Sequence, residues 1–235
     1  MLYFFKYSFR KSPFDCSRQL RLCERIPVDK RHLFFVVFIS NSSRCVPLFS
    51  QKASTDRPFV MWDYHVVLLQ RVDQGVPLIW DLDTILSFPC SFDEYWNGTI
   101  RPTGWDIPEQ YNRYFRVIPC THYITHFSSD RSHMKREDGS WLSPPPVWPL
   151  ICKNGLNNIQ EFINMDPNVL PQISTVMDED EMVENYDVTA FKAKFGIQRI
   201  CVDVEIPILM ARARILVKER SRRTREYILP LMDNR

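Results

Sequence analysis

The sequence predicts a mixed α/β protein of the α+β kind, organised on a central, mainly antiparallel sheet. Three observations carry that expectation. Residues 33–39 form a continuous, partly β-branched apolar run closed by Asn41, Ser42 and Ser43, the pattern of a strand covered on both faces. Residues 65–69 and 78–82 are rich in Val, Leu and Ile, and Asp73, Gln74 and Gly75 supply a turn between them, so the pair reads as antiparallel. Helical patterns stand toward both ends of the chain.

Residues 1–14 are aromatic, basic and free of acids, and read as an arm. Ser12 is a candidate cap and Pro13 fits the first turn of a helix that carries Cys16 and Leu20 and closes between Cys23 and Pro27. After the run at 33–39, residues 46–49 are expected to return as its hairpin partner. Ser91 can cap a short helix over 91–97, with Phe92, Tyr95 and Trp96 packing into the core. Residues 108–113 suggest a helical turn, 114–119 a strand, and 121–127 a helix with His122 and His126 one turn apart. Two histidines at that spacing can bind zinc, but no Glu between them and no nearby Cys pair completes a ligand set, so a surface helix is expected.

A long loop over 128–149 carries Asp130, Arg131, Ser132 and His133, which either line a substrate entrance or brace the loop. Residues 157–163 read as a helix, 178–181 as a solvated acidic segment, and 188–195 as a helix closed by Gly196. Residues 206–227 mix apolar and basic side chains, suited to an acidic partner or membrane surface, or to no partner at all. The expected organisation is a divergent arm over 1–14, a catalytic domain over 15–196 and a basic extension over 197–235.

Bulk properties narrow the function. The 235 residues are 45% apolar and 25% charged, ordinary for one globular domain. A net charge of +2 gives no case for nucleic acid as partner, and no apolar run reaches the roughly 20 residues of a membrane span. Seven cysteines, an odd number without zinc-ligand spacing, fit reduced thiols in a cytosolic or nuclear setting. A monomer is expected.

The chemistry concentrates around Trp62-Asp63-Tyr64-His65-Val66 and Asp81-Leu82-Asp83-Thr84. Alternation puts His65, Val67 and Leu69 on one face, and Ile79, Asp81 and Asp83 on one face of the partner strand. A register opposing these sets places a carboxylate beside the imidazole. Such an Asp fixes the tautomer and leaves the other ring nitrogen to take a proton from a nucleophile; the bland alternative is a His and an Asp that merely satisfy one another. A metal hydrolase built on His65, Asp81, Asp83 and His133 is a further reading.

Trp62-Asp63-Tyr64-His65-Val66, together with Val37-Phe38-Ile39-Ser40, Asp81-Leu82-Asp83-Thr84, Phe88-Pro89-Cys90 and Ser129-Asp130-Arg131-Ser132-His133-Met134-Lys135, resembles the protein N-terminal glutamine amidohydrolases. The resemblance runs from about residue 22 to about 196, in the family's order. It implies an α-β-α sandwich related to transglutaminases and papain-like enzymes. It also implies hydrolytic deamidation of N-terminal glutamine in proteins or peptides, feeding the N-end rule pathway, by a Cys-His-Asp set without cofactor or metal. It selects His65 and, over Asp83, Asp81.

The nucleophile segment departs from the family pattern. A thiol is activated by a helix N-terminus and a neighbouring imidazolium, and Cys16 fits that placement. The family carries its nucleophile in a Cys-Glu-Glu-Asn stretch eight residues before the Cys of a Leu-Cys-Glu sequence, here Leu22-Cys23-Glu24. That position holds Asp15; Cys16 is one residue later and is followed by Ser17-Arg18-Gln19. Cys16, His65 and Asp81 are the expected catalytic residues. The altered segment motivates a rival reading, a catalytically silent module that binds N-terminal glutamine.

Overall fold

A computed structural model describes residues 15–186, apart from 74, 142–144 and 146–148. The expected arm, the helix at 188–195 and the basic extension lie outside the described residues. So do Ser12, Pro13, Gln74 and the side chain of His133.

Strand β1 (Phe34–Ser40) explains its own composition. It lies inside a six-stranded antiparallel sheet, flanked by β4 (His65–Gln70) and β7 (Tyr114–Pro119). The sheet continues through β5 (Leu78–Trp80) and β6 (Cys90–Ser91) on one side and β8 (Thr175–Met177) on the other. With both edges paired and both faces covered, every position but one of β1 is buried, which is why its apolar residues run on without alternation.

Helices pack on each face. Val36, Phe38, Val66, Leu68 and Ile118 meet α1 (Asp15–Arg25), α3 (Cys120–His126) and α4 (Ile159–Ile163). Val37, Ile39, Val67, Leu69, Phe115 and Val117 meet α2 (Phe92–Tyr95) and α5 (Glu179–Tyr186), with Trp96 and a small second sheet. Ser91 caps α2 as expected, its hydroxyl accepting the Glu94 N–H at 3.0 Å.

Three expectations change. The strand β2 (Val46–Phe49) does not return along β1; it pairs with β3 (Phe59–Trp62) in the separate two-stranded sheet. Both edges of β1 are already taken, and the corner before β2 is locked by Asn41, whose side chain accepts Cys45 N–H at 2.9 Å and donates to Cys45 O at 2.8 Å. Arg44 turns that corner in the left-handed region, at φ 50°.

The stretch at 178–181 is not merely solvated acid. Asp178 Oδ1 accepts the N–H groups of Asp180 and Glu181 at 3.0 and 2.9 Å, starting α5. Glu179 points inward, 4% exposed, where its Oε1 takes Arg113 Nε at 2.8 Å and Arg113 N–H at 2.9 Å and its Oε2 pairs with Arg101. Helix α4 is shorter than expected because Asn157 and Asn158 tie the preceding loop instead. Asn157 donates to Asp130 Oδ1 at 2.6 Å, and Asn158 Oδ1 accepts Ser128 N–H at 2.9 Å.

Candidate active site

The pentapeptide 62–66 spans a corner. Trp62 ends β3 in the small sheet, Asp63 and Tyr64 make the bend, and His65 opens β4 in the large one. Ser40 Oγ donates to Asp63 O at 3.0 Å, pinning the corner to the end of β1. The Trp62 ring stacks on the imidazole, with centroids 5.5 Å apart and planes inclined by 24°. His65 is thus held at the junction of two sheets and has no exposed surface.

The expected hairpin is present. Leu68 faces Trp80, Leu69 faces Ile79 and Gln70 faces Leu78, so the sets containing His65 and Asp81 oppose one another. Gly75 closes the turn by space: a Cβ there would stand 2.5 Å from Val72 Cγ1. The chain leaves β5 at Asp81, whose Oδ1 lies 3.0 Å from His65 Nε2. Asp83, the other carboxylate on that face, instead stands 3.6 Å from Arg18 Nη1.

The Asp81 carboxylate is fully buried and surrounded by donors. Besides His65, its Oδ1 accepts the Asp83 N–H at 2.8 Å, and its Oδ2 accepts Gln51 Nε2 and Tyr95 OH, each at 3.0 Å. Burial alone would push this acid up, but the attraction of His65 and the hydrogen bonds from His65, Gln51 and Tyr95 outweigh it, and the net direction is down. Asp81 is therefore an anion at neutral pH. Burial and the Asp81 charge push the Tyr95 phenol well above its usual value, so it remains a donor.

Cys16 is buried in the first turn of α1. Tyr123 OH donates to its carbonyl at 2.9 Å, and three residues on, Gln19 Nε2 donates to Val66 O at 3.2 Å, docking this turn against the neighbour of His65 in β4. Arg131, in the left-handed region at φ 63°, sends Nη2 to Pro149 O at 3.1 Å. Burial and nearby Arg21 pull its guanidinium down, while attraction to Cys16 acts the other way. Asp130 Oδ1 accepts Ser132 N–H and Asn157, so Asp130 braces the loop. Three other thiols are held protonated, whereas the hydrogen bond with Cys23 draws the Cys120 thiol down. Burial pushes Cys45 up to about 11 and Cys90 up to about 12, and burial with the Cys120 thiol alongside pushes Cys23 well above its usual value.

Among the described residues, no group of three or more His, Cys, Asp or Glu is arranged to hold a metal ion, and no helix is long and apolar enough to cross a membrane. His126 Nδ1 lies 2.9 Å from His122 O in its own helix. A surface cleft of about 380 Å³, lined by Asp93, Trp96, Arg101, Asp180 and Glu184 among others, shares no residue with the His65–Asp81 set.

Sequence reasoning missed Gln51 and placed Tyr95 only in the core. The one available signal for Gln51 was a polar side chain two residues past the apolar residues 46–49. Backbone bonds bring it in: Lys52 N–H donates to Asp83 O at 2.7 Å and Ile85 N–H to Ser50 O at 2.8 Å, zipping the end of β2 to the segment after β5.

These features define an α+β protein with a buried histidine held against an ionised aspartate at a sheet junction. A family model described as N-terminal glutamine amidase matches residues 19–186, and the chain belongs to that family. Relatives called protein N-terminal glutamine amidohydrolase include those of Bos taurus and Homo sapiens. Each is 42% identical over 153 residues, 63% of this chain, covering 73% and 74% of the relative. That of Arabidopsis thaliana is 40% identical over 168 residues, covering 67% of this chain and 76% of the relative. The family match begins at Gln19, three residues beyond Cys16.

Proposed function

We propose that this protein hydrolyses the side-chain amide of an N-terminal glutamine in a protein or peptide, leaving N-terminal glutamate and releasing ammonia. The observation that carries the reading is the 3.0 Å approach of Asp81 to His65 inside the family's matched segment. Cys16 is the proposed nucleophile, His65 the base and acid, and Asp81 the group that orients His65. With Nε2–H directed at Asp81, the lone pair for proton transfer lies on Nδ1. His65 takes the Cys16 proton, and the thiolate attacks the carboxamide carbon. The imidazolium protonates the departing ammonia as the thioester forms. Water, deprotonated by His65, then attacks the thioester, releasing glutamate and restoring the thiol. Cys23, Cys45, Cys90, Cys120 and Cys152 carry free thiols, which suits a cytosolic or nuclear setting.

A second reading, a silent module that binds N-terminal glutamine, is favoured by one observation: Asp15 stands where the family pattern would put the thiol. Mass spectrometry of a glutamine-initiated peptide incubated with wild type, Cys16→Ala and His65→Ala separates the two. Conversion by wild type alone is expected. Conversion by Cys16→Ala removes Cys16 from the mechanism, and binding without conversion by wild type selects the silent module.

A further inference from the structure

We propose that Gln51 and Tyr95 are positioning residues for this reaction, which together keep Asp81 ionised and aimed at His65; the inference rests on the deamidation reading above. A carboxylate with one oxygen against an imidazole can rotate about χ2 or take up a proton, and either event removes the imidazole's anchor. Here both escapes are blocked at Oδ2, the oxygen that does not face His65. Gln51 Nε2 and Tyr95 OH reach it from two places distant in sequence, the segment just after β2 and the helix α2, each at 3.0 Å. Gln51, Asp81 and Tyr95 are all essentially buried, so water is not at hand to replace a lost donor.

The two donors are fixed in polarity. Turning the Gln51 amide over would set its carbonyl against an anion, and Gln51 Oε1 has no hydrogen-bond partner among the described residues, so the observed orientation serves Asp81 alone. Tyr95 stays protonated because ionisation would put two negative oxygens in contact. Losing either donor leaves Asp81 less stabilised as an anion, and the coupled Asp81–His65 pair then holds its protons to higher pH.

The test uses Tyr95→Phe and Gln51→Met, which keep shape and remove one donor each. Each variant is expected to lower kcat about tenfold with KM within about twofold, and to move the acid limb of the kcat/KM profile upward by about one pH unit. His65, followed by ¹⁵N NMR without substrate, should also titrate at higher pH in both variants. A fall in kcat uniform across pH, with the limb and the His65 titration unmoved, would make Gln51 and Tyr95 packing residues and overturn the proposal. So would loss of the fold in both variants. The NMR titration does not need turnover: if wild type converts no glutamine peptide, the deamidation reading fails while the titration still decides whether these donors act on Asp81.

Discussion

Replacing Asp81 by Asn tests the His65–Asp81 pair with the smallest change in shape, and the hydrogen bonds around it predict which way the new amide turns. If the NH₂ took the place of Oδ1, it would meet the Asp83 N–H, a backbone donor that cannot rotate, as well as His65. If it took the place of Oδ2, it would meet Tyr95 OH, which can rotate to accept, and Gln51, whose amide can turn over to present Oε1. The second arrangement sets no donor against a fixed donor, so the carbonyl of the introduced amide should still accept from His65 Nε2 and the tautomer should survive. What is lost is the negative charge beside the imidazolium. A hydrogen bond to a charged group contributes about 1.5–3 kcal/mol, so kcat/KM should fall by roughly 10- to 150-fold at neutral pH. The imidazole pKa should fall by about one to two units, since the anion that favours its protonated form is gone. The assay is steady-state ammonia release from a glutamine-initiated peptide, paired with ¹⁵N NMR of the His65 ring. A loss under about threefold would falsify the role of Asp81, and a reversed His65 tautomer would show that the donor argument around Oδ2 is wrong.

Other outcomes follow from the same structure. An N-acetylated or internal glutamine should not be converted, because the proposed specificity requires a free ammonium; equal conversion, read by mass spectrometry, would indicate a general glutaminase. Glu179→Ala leaves the Arg113 guanidinium, 1% exposed, without its carboxylate and should destabilise the fold by about 3–5 kcal/mol in urea titration. Arg101→Ala should cost far less, because that side chain is half exposed. For pH, the Asp81 pKa is lowered on folding, so its contribution to stability is present above the free carboxyl value of 3.8 and lost as pH falls through the lower folded value. Cys90 has the opposite sign: with its thiol pushed up to about 12 from a free value of 9.0, its contribution is lost as pH rises through that window. Melting temperatures measured across acid and alkaline pH check both directions. Alkylation at pH 7.5 should spare Cys45 and Cys90 in the native protein, and peptide mapping that finds either labelled quickly would contradict their burial.

What the sequence could and could not disclose divides along a physical line. Alternation has a period of two, so it states which face a side chain takes. The run at 33–39 therefore discloses a strand buried on both faces, and the parity of His65 and Asp81 puts them on opposing sets. Alternation does not say which strand lies alongside, and a short link, which usually joins neighbours, points β2 to β1. The partner is decided by Asn41 and Arg44 at the corner, whose geometry no hydrophobic pattern records. Charge is legible only as an average: acids at 178–181 look solvated until a guanidinium 66 residues away arrives to bury one of them. The Asp81 shell is harder still. Gln51 and Tyr95 are 30 and 14 residues from Asp81 in sequence, sit on different elements, and carry no motif of their own. Their role exists only once the small sheet and α2 meet over the end of β5. A catalytic pair can thus be found by its own residue types, whereas the groups that keep its carboxylate charged are defined by tertiary contact alone. Changes at Gln51 or Tyr95 should accordingly move the titration of His65 and Asp81 while leaving the His–Asp pair itself intact.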